Sequence, residues 1–267
     1  MTFGFIGAGN MGGALARAVV KAAGGANITV TDKFAPAAEK LAAQIGAAQA
    51  AASQEVAEKC DYIFLGVKPQ VMADMLAEIA PVLAARKDGF VLVSMAAGVS
   101  IADIQKMAGG NYPVIRIMPN IPASVGSGVI LYDYTENVSA EKVAAFCENM
   151  QYAGVVDHLP EKLIDAASAL SGCGPAFVSL FVEALADGAV ACGLPRDKAM
   201  LYAAATVKGS AAMILESGMH PAQLKDAVCS PGGTTIAGVK ALEEGSFRGA
   251  AMDAVSKAYK RTLELGK

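Results

Sequence analysis

The stretch MTFGFIGAGNMGG constrains the fold of this chain most: a short apolar run is broken at once by glycines, and an Ala-rich stretch follows. Residues 2–6 have the length and side-chain types of a buried strand, and residues 10–23 can continue as a helix. Glycine therefore falls at a strand-to-helix turn. Gly7, Gly9 and Gly12 fit G-x-G-x-x-G in the context that gives this spacing a physical meaning. Gly7 allows the tight turn, Gly9 removes a side chain where a pyrophosphate must approach the backbone, and Gly12 lets helix and strand pack closely. Free N–H groups at the helix start then meet the phosphate charge. The unit closes on ITVTD, which sets Asp32 twenty residues after Gly12, where an acid accepts from ribose hydroxyls. Asp32 favours NAD(H), because its charge repels a 2′-phosphate. Lys33 beside it reads either as an exposed loop lysine or as a contact to that phosphate, so both NAD and NADP stay open.

Up to residue 158, apolar strands alternate with amphipathic helical segments, the pattern of parallel pairing through crossover helices. The expected strands are 2–6, 28–31, 62–67, 90–94, 114–118 and 154–156. After His158 the segments are all helical, punctuated by Pro and Gly. The expected fold class is α/β: an N-terminal Rossmann-like doubly wound sheet over 1–158, then an all-helical domain over 159–267. A length of 267 residues suits two domains. The many Ala, Gly and Ser residues of the helices permit close approach, either internally or in a dimer.

Other loops fall at strand ends, where an open parallel sheet binds its ligand. In GVKPQ, Pro69 starts a helix and Lys68 either anchors the loop or contacts a nicotinamide ribose. In SMAAGVS, the small Ala96, Ala97 and Gly98 leave space for a flat ring or merely pack. RIMPNIPA sets two prolines around Asn120, which stiffens the backbone without indicating a chemical role. CSPGGTT is different in kind: two glycines after a proline, then threonines opening an amphipathic helix, aim N–H groups at one spot beside the Ser230 and Thr235 hydroxyls. This is a small anion site suited to a carboxylate, or else an ordinary capped helix start. No His or Lys stands near it as a general base.

Several function classes are disfavoured. A net charge of −3 with scattered charges offers no basic field for nucleic acid or anionic lipid. Five widely spaced cysteines suggest reduced, buried thiols of a cytoplasmic protein. With only His158 and His220 and no CxxC or HExxH, no metal site of conventional spacing is expected. The first apolar run is too short for a signal peptide. The most apolar later stretch carries Pro175, Glu183 and Asp187, so a core or subunit-interface helix is favoured over a membrane span.

In order along essentially the whole chain, GFIGAGNMG, VKP, RIMPNIPA, LSGCGPAF, EALADGAVACGLPR, HPAQLKDAV and SPGGTT resemble the pyrroline-5-carboxylate reductases. The resemblance implies reduction of (S)-1-pyrroline-5-carboxylate, a small cyclic imine carboxylate, to L-proline by NAD(P)H in the last step of proline biosynthesis. It also implies a helical dimerisation domain and homodimers that often associate into larger rings. By resemblance Ile6, Gly7, Ala8, Gly9, Asn10 and Met11, then Gly66, Val67, Lys68 and Pro69, then Met95, Ala96 and Ala97 contact the cofactor. Thr235 is the implied catalytic residue, hydrogen-bonding the substrate nitrogen, while Ser230, Gly233 and Thr234 hold its carboxylate. Glu161 stands where an acidic residue approaches the ring nitrogen. Cys173 replaces a serine frequent in the family, and Ser53 an asparagine common near the adenosine. An imine is already electrophilic, especially when protonated, so hydride transfer needs positioning more than a strong acid. Two rivals share the N-terminal half. A 3-hydroxy acid dehydrogenase would need a catalytic lysine, and neither Lys208 nor Lys225 sits in a suitable motif. A non-catalytic dinucleotide-binding protein would have no need of the intact SPGGTT.

Overall fold

The central strand β1 (Phe3–Ile6) is buried along its whole length, as its unbroken apolar run requires of a strand covered on both faces. The computed structural model describes residues 1–265. After β1 come α1 (Asn10–Ala23), β2 (Ile28–Thr31), α2 (Ala35–Ile45), the two-residue β3 (Ala48–Gln49), α3 (Ser53–Lys59), β4 (Tyr62–Leu65), α4 (Pro69–Ala85), β5 (Val91–Ser94) and α5 (Ile101–Ala108). The sheet continues with β6 (Val114–Pro119), β7 (Gly128–Tyr134), α6 (Ala140–Met150) and β8 (Gly154–His158). Helices α7 (Glu161–Ser171), α8 (Gly174–Ala191), α9 (Arg196–Ser217), α10 (Pro221–Ala227), α11 (Thr234–Glu244) and α12 (Phe247–Leu265) complete the chain.

Among the described residues the eight strands lie in the order β3-β2-β1-β4-β5-β6-β7-β8. Strand β1 pairs in parallel with β2 on one side and β4 on the other, so the winding reverses between β1 and β4. A crevice at the carboxyl ends of these two strands is the ligand position of such a sheet. One face packs Phe5, Phe64 and Ile117 against Leu15, Val19 and Phe146. The other packs Ile63, Leu65 and Leu92 against Met72, Leu76, Ile79 and Ile104. Both layers of the doubly wound arrangement are thus filled.

Two strands depart from the sequence reading. The edge strand β3 is too short to leave a periodic signal. Strand β7 runs antiparallel to β6, with Ile117 opposite Tyr132, and is reached through a 3-10 turn over Ile121–Val125 instead of a crossover helix. A search for strand-helix alternation passes over it for that reason.

The chain divides into two compact units, Met1–Gly172 with the chain from Tyr259 on, and Cys173–Ala258. The boundary expected near 157–160 falls at the β8–α7 turn, whereas α7 clusters with the sheet; residues 266 and 267 of the expected helical domain lie outside the described residues. The second unit buries Ala186, Ala199 and Ala203, with Val182, Ala189 and Leu194 beside them. It leaves Leu180 66% and Leu215 80% exposed, along with Leu201, Val228 and Met252. The helical run Glu161–Ala191 is long and apolar enough to cross a membrane by length and composition. All five cysteines are free; Cys60 is buried, and burial pushes its thiol up to about 11, whereas Cys192 is exposed, against the expectation of buried thiols.

The join between β1 and α1 allows no side chain. A Cβ on Gly12 would stand 2.2 Å from the Gly7 carbonyl oxygen. Gly12→Ala is expected to lower unfolding free energy by about 1–3 kcal/mol through this overpacking, read by urea denaturation of the variant beside the wild type.

Candidate active site

The turn from β1 into α1 is held by the strands on either side of it. Gly7 N–H donates to Thr31 O and Gly66 N–H donates to Ile6 O, both at 2.8 Å, so the carboxyl ends of β1, β2 and β4 share one hydrogen-bonded rim. Gly7 has φ of 113°, and a Cβ there would meet Gly66 O at 2.4 Å. Gly9 is the N-cap of α1, with no side-chain cap and no acidic residue in the first turn. The orphan N–H groups and the positive end of this helix are left for an anion. A Cβ built on Gly9 meets nothing within 4 Å, so the backbone there borders open space of the kind a bound pyrophosphate needs. Asn10 is exposed and Met11 partly buried on the same first turn.

Asp32 ends β2 and does more than its position suggests. Its Oδ2 accepts from Ala8 N–H at 2.7 Å and its Oδ1 from Phe34 N–H at 2.8 Å. The carboxylate therefore ties the glycine turn to the β2 end while keeping lone pairs for ribose hydroxyls. Lys33 and Phe34 are exposed beside it, and Lys33 makes no ion pair among the described residues.

Two further loops reach the same edge of the sheet. Gly66 and Val67 are partly buried, Lys68 is the N-cap of α4, and Pro69 occupies its first turn, where a missing N–H costs nothing. After β5, Met95 is partly buried, Ala96 buried and Ala97 exposed, and Gly98 turns the chain at φ of 72°. Ser100 then caps α5: its Oγ accepts from Asp103 N–H at 3.1 Å and donates to Asp103 Oδ2 at 2.6 Å, which holds the Asp103 carboxyl below its usual range. The rim thus unites the glycine turn, Asp32, the 66–69 loop and the 95–97 loop.

The second unit carries a similar helix start. Gly232, at φ of 69°, and the N-cap Gly233 lead into α11, again with no side-chain cap and no acid in the first turn. Gly233 N–H donates to Ser230 O at 3.0 Å, and a Cβ on Gly233 would stand 2.3 Å from Ser230 Oγ, so the turn folds tightly over the serine. Ser230, Thr234 and Thr235 are exposed. The nearby titratable groups are committed elsewhere: Lys225 pairs with Asp226, which raises its pKa, and His220 Nδ1 accepts from Ala222 N–H as the cap of α10. No general base attends the loop.

Glu161 lies in the first unit with its Oε1 engaged by Arg116 Nη1 at 3.0 Å and by Ile101 N–H at 2.8 Å. Ser53, in the first turn of α3, makes no side-chain cap. The residues that sequence reasoning did not single out are Arg116, Asp133 and Asp165, which surround Glu161. The only available signal was the spacing in RIMPN, which puts 116, 118 and 120 on one face of a strand.

Comparison with known proteins adds a lineage to this geometry. A family described as pyrroline-5-carboxylate reductase dimerisation matches residues 161–265, and one described as NADP oxidoreductase, coenzyme F420-dependent, matches residues 2–98. A pyrroline-5-carboxylate reductase of Glycine max is 41% identical over 266 residues, spanning 99% of this chain and 96% of that protein. The structure of a pyrroline-5-carboxylate reductase from Coxiella burnetii matches with TM-score 0.91 and 31% identity, over 100% of this chain and 98% of the other. That of a Plasmodium falciparum pyrroline carboxylate reductase with NADP bound matches with TM-score 0.86 and 32% identity, over the same shares.

The open space at Gly9 separates binding from folding. Gly9→Ala should unfold like the wild type yet weaken NADPH binding on the order of tenfold or more, since its methyl group would occupy the approach of the pyrophosphate. Titration of intrinsic cofactor fluorescence alongside thermal melting checks both halves.

Proposed function

The chain belongs to the pyrroline-5-carboxylate reductase family, and on that premise we propose how its own residues carry the reaction. It is an NAD(P)H-dependent oxidoreductase that reduces (S)-1-pyrroline-5-carboxylate to L-proline in proline biosynthesis. When bound, NAD(P)H supplies the hydride that the imine carbon takes up. The observation that carries our residue assignment is the pair of uncapped helix starts, each with glycine at the N-cap and no acid in the first turn. One suits a pyrophosphate and the other a carboxylate.

In this reading the N–H groups at Asn10, Met11 and the start of α1 hold the pyrophosphate, Ala8 N–H stays with Asp32 and sets the turn, and Asp32 accepts from the adenosine ribose with its remaining lone pairs. The loops Gly66–Val67–Lys68–Pro69 and Met95–Ala96–Ala97 border the nicotinamide end. The turn at Gly233 presents the Thr234 N–H, which with Ser230 Oγ holds the substrate carboxylate, and Thr235 Oγ1 hydrogen-bonds the ring nitrogen. A protonated imine needs orientation and exclusion of competing reactions more than a proton donor, so a site without a free histidine or lysine is adequate. The domains act as assigned from sequence: 1–158 takes the dinucleotide and 159–267 the imine acid. The chain oligomerises through its dimerisation domain. Homodimers assembling into a ring, in the cytoplasm, complete our reading; the exposed Leu180, Leu201 and Leu215 supply apolar surface for such contacts.

Cofactor preference is assigned to Asp32 and Lys33. Asp32→Asn keeps an acceptor for Ala8 N–H while removing the charge that repels a 2′-phosphate, so the NADPH to NADH ratio of kcat/KM should rise. An unchanged ratio would move discrimination to another residue.

Thr235→Ala removes the hydroxyl but not the backbone donors. Its kcat/KM for pyrroline-5-carboxylate should fall by about 1.5–3 kcal/mol, on the order of 10–100-fold, with cofactor affinity kept. Thr234→Ala should cost less because its role uses the N–H. Steady-state rates with proline quantified as product decide this, and full turnover in both variants would reduce the threonines to helix-start residues.

A further inference from the structure

Arg116 is a guanidinium buried inside the sheet layer, its side chain 5% exposed. Burying such a charge is unfavourable unless it is paired. Nη1 meets Glu161 Oε1 at 3.0 Å and Nη2 meets Asp165 Oδ1 at 3.1 Å, while Nε has no partner among the described residues. On β6, Arg116 sits between Ser94 of β5 and Asp133 of β7. Asp133 Oδ2 accepts from the Glu161 N–H at 2.6 Å, and Asp133 Oδ1 lies 3.2 Å from His158 Nε2. The first residue of α7 is therefore gripped by its backbone and its side chain at once.

The grip extends to the loop after β5. Glu161 Oε1 also accepts from Ile101 N–H at 2.8 Å, a contact across 60 positions of sequence. Ile101 is the first helical residue of α5, and its N–H is one of the orphan donors of that helix start. The capping box already engages Ser100 and Asp103 locally. The long-range carboxylate thus adds a second fastening directly at the exit of the 95–100 loop, which ahead of Ser100 has a 3.5 Å contact from Ala96 N–H to Ser94 Oγ.

We propose that Glu161, held by Arg116, is a positioning residue that fixes the exit of the 95–100 loop through Ile101 N–H, and so sets the surface that loop offers to the nicotinamide. This rests on the reading of Met95, Ala96 and Ala97 as cofactor contacts. It differs from the role the resemblance implies for Glu161, contact with the substrate nitrogen, and the two separate in the kinetics.

The test uses the full chain with three variants. Glu161→Ala removes the acceptor, and Glu161→Gln keeps an oxygen for both Ile101 N–H and Arg116. Ile101→Pro deletes the donor and also trims a partly buried side chain that packs on the core, at a first helical position where proline is tolerated and after a Ser100 already extended at φ of −78° and ψ of 164°. The dissociation constant of NADPH, measured without imine by fluorescence, should rise on the order of tenfold in Glu161→Ala and in Ile101→Pro. Glu161→Gln should restore it, and KM for pyrroline-5-carboxylate should stay near the wild-type value throughout. If both Glu161 variants raise the imine KM and leave cofactor binding unchanged, Glu161 touches substrate and the proposal fails. It fails also if all three variants change only the melting temperature. The cofactor constant is read without imine, so absence of imine turnover in the wild type would count against the proposed reaction alone.

Discussion

Everything at the cofactor edge depends on how closely three backbone segments approach. Gly7, Gly12 and Gly66 meet with no room for a Cβ at the first two, where it would fall 2.4 and 2.2 Å from carbonyl oxygens. Any side chain there would push α1 away from β1 and carry its uncapped first turn off the carboxyl edge of the sheet. The positive helix end and the ribose-side carboxylate are useful to one ligand only if both stand at that edge. Gly9 belongs to the same motif for the opposite reason. A Cβ there would meet no atom of the described residues within 4 Å.

Asp32 shows how one side chain serves structure and specificity together. Its two oxygens already order Ala8 and Phe34, so the glycine turn is preorganised before any ligand arrives. Preorganisation lowers the ordering cost of binding. In the proposed reading the same charge repels a 2′-phosphate, which would link turn geometry to the choice between two cofactors.

Strand β6 presents Arg116 and Met118 to α7, and Asn120 just after it does the same. Arg116 takes Glu161 and Asp165, Met118 packs with Ile164, and Asn120 donates from Nδ2 to Ser171 O at 2.8 Å while accepting from Val129 N–H at 2.9 Å. The helix is held at both ends and its middle. The Cys173–Ala258 unit contrasts with this economy: it buries three alanines and exposes several large apolar side chains. That balance suits a dimerisation domain, where a second copy supplies the covering surface.

Local chemistry wrote the helices, the parallel strands other than β3, the glycine turn and the SPGGTT helix start directly into the sequence, because hydrophobic period and turn residues act over a few positions. The same short-range rules could assign RIMPN no role, passed over β7, and gave no sign that α7 belongs with the sheet. Each of those depends on partners far along the chain: Arg116 finds Glu161 45 positions away, and Glu161 finds Ile101 at 60. Asp32 was singled out from its place after β2, but its bond to Ala8 was not legible. Sequence by itself therefore determined most of the helices and strands and the two glycine-led helix starts. The tertiary structure decided which buried charges would meet, because pairing across long separations exists only once the chain has packed.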